Sequence, residues 1–307
     1  MISGTDTLGQ ATPLPQLKES PDTENLTTRP QADNPRPVLV VSVTSGKGGV
    51  GKTAIVANTA IAMSRMGKKV LIIDANLGLA NIDVIYGLTP HYNLNHFFGG
   101  LVDLNEILVE GPGGVKILPS GSGLTQMTRL KPSQKAQFIE GLDRLDEKFD
   151  AVLIDTEAGI SDNVTYFNTA AQEVLLIATS DPASITDAYT LMKVLFLQFQ
   201  QRNFHLLVNV ARDSDEGLEV FQKLTIAADR FFDISLNYLG YIPFDENMLE
   251  SRRRQMPLIE LYPDSQASAS FRSLAKGLLS LPTDLCPKGS LQFFWKNFLA
   301  QNPSQDS

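Results

Sequence analysis

Val38-Leu39-Val40-Val41-Ser42-Val43-Thr44-Ser45-Gly46-Lys47-Gly48-Gly49-Val50-Gly51-Lys52-Thr53 runs from an apolar, β-branched stretch into a glycine-rich turn, and the residues that follow have helical spacing. A strand leading through G-x-x-x-x-G-K-[ST] into a helix is the context in which that spacing binds phosphate. Glycines at 46, 48, 49 and 51 let the backbone curl until successive N–H groups face an anion, and the helix behind them adds its positive end. Lys52 then offers a point charge to the outer phosphates, and the Thr53 hydroxyl is placed to ligate magnesium.

Outward from this loop, short β-branched runs alternate with amphipathic segments. Val38–Val43, Val70–Asp74, Val115–Leu118, Ala151–Asp155, Val174–Thr179, Leu206–Val210 and Tyr238–Ile242 read as strands, and their near-continuous apolar character calls for cover on both faces. Lys52–Met66, Ser133–Phe149, Asn163–Ala171, Ser184–Arg202, Glu216–Phe232 and Ala267–Leu279 read as helices, with Gly67 a stop for the first. The alternation predicts a doubly wound α/β fold with a mainly parallel sheet sandwiched by helices, and a ligand beyond the carboxyl ends of the strands.

One of those strands ends in an acid. Ala151-Val152-Leu153-Ile154 is followed by Asp155, and a carboxylate at a strand end beside a phosphate loop is where a second-shell magnesium ligand belongs. The other reading of such an acid is a cap for the next segment.

Composition narrows the function classes. The chain has 307 residues, 43% of them hydrophobic and 20% charged, with a formal net charge of -8, which is a globular composition and argues against broad non-specific attachment to DNA. No apolar run is long enough to cross a membrane and no basic-then-apolar leader opens the chain, so a cytoplasmic location is expected. Cys286 is the single cysteine, which excludes an internal disulfide and any Cys-rich metal centre built in one chain. Residues 1–36, rich in Pro, Thr, Asp and Gln, read as a disordered arm, 37–282 as the nucleotide-binding body, and 283–307 as a tail. Within the tail Leu291, Phe294, Trp295, Phe298 and Leu299 share one helical face over 290–300, which suits a peripheral lipid contact, docking on the body, or cover for a dimer cleft. Arg252, Arg253 and Arg254 form a local basic run of the kind usually found on a solvated surface.

The front lysine adds a resemblance. Lys47-Gly48-Gly49-Val50-Gly51-Lys52-Thr53 is similar to the deviant Walker A signature of the MinD/ParA ATPases. Asp74-Ala75-Asn76-Leu77-Gly78-Leu79-Ala80-Asn81, Asp155-Thr156-Glu157-Ala158-Gly159-Ile160 and Ser184-Ile185-Thr186-Asp187-Ala188-Tyr189 resemble the FlhG/FleN regulators of flagellar number, over roughly residues 37 to 300. The resemblance implies ATP or ADP with Mg²⁺ as ligands and an ATP-dependent homodimer in which Lys47 reaches the partner's phosphates. It implies Asp155 as the Walker B acid and Asn209, Pro243 and Asp245 around the base; a turn-capping role for Asn209 stays open. It also implies a flagellar transcription regulator, an FlhF-type GTPase or a switch-ring protein as partner. An active MinD- or ParA-type positioning ATPase is the rival reading. Asn76 departs from the family pattern, which has an acid there to orient the attacking water. An amide carries no charge and is a poor proton acceptor, so slow hydrolysis is expected. Glu157 either faces solvent or reaches back to supply the missing carboxylate.

Overall fold

The computed structural model describes residues 38–77, 81–121, 130–230 and 233–282. The N-terminal arm, Gly78 to Ala80 of the first switch, Cys286 and the aromatic stripe at 290–300 lie outside the described residues. Strands β1 (Leu39–Ser45), β2 (Val70–Ala75), β3 (Val109–Glu110), β4 (Lys116–Leu118), β5 (Ala151–Ala158), β6 (Glu173–Ala178), β7 (Asn203–Ala211) and β8 (Ser235–Pro243) form one sheet in the order β3-β4-β2-β5-β1-β6-β7-β8. All neighbours pair in parallel except β3, which runs antiparallel to β4 at the edge.

Alternation along the strands decides which layer each side chain enters. Val41, Val43, Ile72 and Leu153 face α1 (Lys52–Arg65) and the helix at Gln266–Leu279. Val40, Leu71, Ile73, Val152 and Ile154 face the opposite side, with Phe138 and Phe167. Further along the sheet Val174, Leu176, Leu206 and Val208 continue that second layer with Leu191, Leu195 and Leu224. Both faces are therefore buried, as the continuous apolar runs require.

In chain order the remaining helices are α2 (Ile82–Tyr86), α3 (Leu94–Phe98), α4 (Leu104–Ile107), α5 (Pro132–Asp143), α6 (Asp162–Ala170), α7 (Pro182–Phe199), α8 (Ser214–Asp229), α9 (Asn247–Arg253), α10 (Leu258–Leu261) and α11 (Gln266–Leu279). The helix read as Ser133–Phe149 ends at Asp143, because Leu145 and Phe149 enter the core from irregular chain instead. Strand β5 runs past Asp155 to Ala158, held by the pairing of Ser45 with Ala158 and by the Gly159 amide donating to the Ser45 carbonyl. Gly67 does end α1, in the left-handed region at φ 78, with its amide on the Ser64 carbonyl.

Helix α6 is locked to β1 by a buried amide. Asn168 Oδ1 accepts from the Ser42 hydroxyl at 2.7 Å, while its Nδ2 donates to Thr44 Oγ1 and to the Val164 carbonyl. This fixes the strand that feeds the phosphate loop. Asn168→Leu removes the partner of two buried hydroxyls, and each orphaned group typically costs 1–3 kcal/mol. The expected outcome is a loss of about 2–3 kcal/mol in equilibrium urea unfolding, and an unchanged midpoint would contradict this account of the network.

Candidate functional site

Gly46 to Gly51 leave β1 and enter α1 at the carboxyl end of the sheet. Two glycines here are irreplaceable for different reasons. A Cβ on Gly46 would sit 2.1 Å from the Asp187 carbonyl oxygen, and Gly51 holds φ 94, where its Cβ would also strike Asn209. Helices α6, α7, α8 and α11 are each capped by a side chain, from Ser161, Asp181, Asp213 and Ser265, whereas α1 has none. Its first N–H groups are left for an anion in the loop.

Lys52 is buried, and its Nζ donates to Ser45 Oγ at 2.8 Å, while the Ser45 hydroxyl donates to the Lys47 carbonyl. Burial lowers the Lys52 pKa, and the charges of Asp155 and Glu157 work against that fall. Lys47 points elsewhere: its ammonium forms an ion pair with Asp181 at the start of α7, both partners being partly exposed.

The parallel register of β2 on β5 sets Asp74 beside Asp155, and both are buried. Asp74 accepts from the backbone amides of Asn76 and Asn81, at 3.1 and 3.2 Å, whereas neither carboxylate oxygen of Asp155 has a hydrogen-bond partner. Burial drives both pKa values upward. Asp155's charge raises Asp74 further, and Thr53 and Lys52 oppose the rise at Asp155. Two adjoining buried acids, one of them met only by the Thr53 hydroxyl and the charge of Lys52, suit a cation placed between them and bound phosphates. Among the described residues no group of three or more His, Cys, Asp or Glu could hold a metal alone. That matches magnesium, which takes one or two carboxylates and completes its shell with phosphate and water.

A cleft of about 670 Å³ opens over this arrangement. Its floor is Gly48, Gly49, Gly51, Lys52 and Thr53; one wall is Thr156, Glu157 and Ala158, and the other Asn76, Asn81, Val84 and Ile85, with Arg252. The structure thus brings the loop, Asn76 and the end of β5 together. Asn209, Pro243 and Asp245 stand at the ends of β7 and β8, outside this lining. The Asn209 amide donates to the Val50 carbonyl at 2.7 Å, so it braces the phosphate loop, and Asp245 accepts from the Asn247 amide at the start of α9. Val210, next to Asn209, holds φ 59, a costly region for a β-branched residue, at an irregularity in the β7–β8 register.

One expectation is corrected. Glu157 does not face solvent: it is half-buried in the cleft, where burial raises its pKa and hydrogen bonds from the side chains of Asn163 and Ser161 work the other way. Arg252, Arg253 and Arg254 are exposed, as a solvated basic run should be, and Arg252 in addition lines the rim of the cleft. Its placement depends on a packing of α9 that no local pattern announces, whereas Glu157 stands two residues beyond Asp155.

A carboxylate whose pKa is raised on folding binds its proton more tightly in the native state, so stability falls as pH rises from the ordinary carboxylate range through the raised value. Nucleotide-free protein should melt at lower temperature at about pH 8 than at about pH 5 on account of this pair. Asp155→Asn removes one charge and lets Asp74 ionise alone, so it should flatten that slope and raise the melting temperature at the alkaline end. A wild-type slope retained in the variant would remove the pair as its cause.

The chain was compared with known proteins. The family model described as cellulose biosynthesis protein BcsQ matches residues 38–279. The antiactivator FleN of Pseudomonas aeruginosa is 42% identical over 277 residues, 90% of this chain and 99% of that protein. The flagellum site-determining protein YlxH of Helicobacter pylori is 32% identical over 280 residues, 87% of this chain and 92% of the relative. Among solved structures, MinD of Pyrococcus horikoshii complexed with Mg-ADP superposes with a TM-score of 0.66 at 25% identity, covering 79% of this chain and 96% of that one.

Proposed function

The chain belongs to the MinD/ParA family of P-loop ATPases, and from that membership we propose that it is a FleN-like antiactivator, an ATP-operated switch that dimerises and restrains flagellar synthesis by binding a partner. The observation that carries the reading is the complete phosphate loop at an uncapped α1 beside the Asp74–Asp155 pair, in a chain 42% identical to FleN over 90% of this chain and 99% of FleN. Gly46 to Thr53 would hold the phosphates of ATP or ADP. The Thr53 hydroxyl would ligate magnesium and Asp155 would hold one of its waters; the ion would supply charge neutralisation of the phosphates.

Lys47 is the residue assigned to the homodimer. Its pairing with Asp181 keeps the ammonium at the surface of its own chain, from which a second copy's phosphates could draw it. Asn209, Pro243 and Asp245 retain an assignment to the base end. The partner is of the kind that a FleN-type protein restrains, a flagellar transcription regulator, with an FlhF-type GTPase or switch-ring protein as the alternatives. The segment 290–300 is assigned a peripheral membrane contact, checked by sedimenting full-length and truncated protein with anionic liposomes. Among the described residues, no helix is long and apolar enough to cross a membrane.

The family model that matches residues 38–279 supports a second reading, a role in cellulose production. Deletion of the gene separates the two. Supernumerary flagella support the antiactivator, and normal flagellation with lost cellulose would replace it.

Light scattering should show the mass doubling with Mg-ATP and not with ADP. Lys52→Ala should lose nucleotide binding, and Lys47→Ala should keep binding while losing the dimer. An unchanged monomer mass at saturating ATP would sink the switch.

Hydrolysis should be slow, because Asn76 lines the cleft at the position where the family pattern it resembles has an acid, and Glu157 is engaged by Ser161 and Asn163 rather than aimed freely at the phosphates. A positioned acid–base group is typically worth about 10²–10⁴-fold in rate. Asn76→Asp should therefore raise phosphate release by at least about tenfold, and Glu157→Gly should change it far less. A brisk wild-type rate that collapses in Glu157→Gly would assign the missing carboxylate to Glu157.

A further inference from the structure

We propose that Arg252 is a nucleotide-contacting residue whose guanidinium holds the inner phosphates of the ATP or ADP bound by its own chain. The inference rests on the nucleotide reading above and adds to it a residue that lies 199 positions after Thr53 and belongs to no phosphate motif.

Helix α9, which carries Arg252, is tied down at both ends. At its start Asp245 accepts from the Asn247 amide at 2.9 Å. At its end the buried Ser251 donates its hydroxyl to the Met256 carbonyl, and the Met256 amide donates back to the Ser251 carbonyl. Gln255, in the left-handed region at φ 51, lays its carbonyl against Gly87, where an added Cβ would come within 3.3 Å. The end of α9 is thereby fixed beside the end of α2. Arg252, itself exposed, lines the cleft together with Val84 and Ile85 of α2 and with Thr53 and Ala54 of the first turn of α1.

Its charge is unmatched. Arg65, Arg144, Arg202, Arg212 and Arg254 each pair with a carboxylate, whereas Arg252 and Arg253 make no ion pair among the described residues, and of these two only Arg252 lines the cleft. Lys47 is paired with Asp181, so Lys52 and Arg252 are the cations the cleft itself presents. They divide the polyphosphate between them. By the motif, Lys52 would serve the outer phosphates, while backbone amides at the end of the loop would cradle the inner ones. An arginine on the α2 side meets those inner oxygens, and its planar fork can take two of them at once.

The test is equilibrium titration of the full-length protein with Mg-ATP and with Mg-ADP. Arg252→Ala should weaken both by about tenfold and to the same extent, since a hydrogen bond to a charged group is worth about that much. Arg252→Lys should recover part of the loss, because it restores charge without the fork, and Arg253→Ala should bind as the wild type does. Melting temperatures without nucleotide should match the wild type, because Arg252 is exposed and makes no ion pair among the described residues. Wild-type affinity for both nucleotides in Arg252→Ala would overturn the proposal, as would a loss confined to ATP, which would move the contact to the γ-phosphate. Failure of the wild type itself to bind either nucleotide would overturn the ATP reading first and this inference with it.

Discussion

Asp74 and Asp155 are forced together by the parallel pairing of β2 with β5, and the carboxyl end of the sheet is organised around the charge this leaves. Two buried carboxylates side by side cannot both ionise without a counter-charge. Lys52 supplies one, and it is itself held by Ser45 and destabilised by burial, so neither sign is fully satisfied. A site in this condition favours a ligand that brings cation and anion together. Magnesium with a polyphosphate would do so, the metal answering the acids and the phosphates answering Lys52 and the open amides of α1. On the proposed reading ligand binding would relieve the electrostatic stress of the nucleotide-free protein, and the same stress sets the direction expected for its pH dependence.

How much of this the sequence carried depends on how local each contact is. The strand, loop and helix from Val38 to Arg65 are contiguous, and glycines with a terminal Lys-Thr leave one conformation that makes sense of them. Asp155 was legible as an acid closing a strand, but its adjacency to Asp74 was not, since that follows from a register between segments about 80 residues apart. The short helices α2, α3, α4, α9 and α10 have four to seven residues each, too few turns for a periodic signal to emerge. Strand β3, with two residues, is shorter than any pattern can mark.

The incomplete readings share a physical cause, which is that side-chain destination is a tertiary property. Asn209 reads as a base contact or a turn cap, and the turn of Val210 into the left-handed region accompanies a hydrogen bond from its amide to the Val50 carbonyl. Bracing the loop from β7 and reading a base are different tasks, and the structure displays the first. Glu157 reads either as a solvent-facing acid or as one that reaches back to the phosphates. Continuing β5 to Ala158 draws it into the wall of the cleft, where Ser161 and Asn163 receive it. Arg252 sits in a run of three arginines, and only the closure of α9 against α2 distinguishes it from the other two.

The pairing of Lys47 with Asp181 bears on which step controls the switch. Both side chains are partly exposed, and ion pairs of that kind contribute little because solvent screens them and two long side chains must be ordered to form them. The pair therefore parks the ammonium without locking it. Asp181 has a second task, capping α7 by accepting from the Ala183 amide, and that task survives the departure of the lysine. Releasing Lys47 disturbs no buried contact, so in the proposed face-to-face dimer that step would set no large barrier. On that reading negative charge across the interface would draw the lysine over, and occupancy of the phosphate loop, rather than rearrangement of the fold, would be the event on which dimerisation turns.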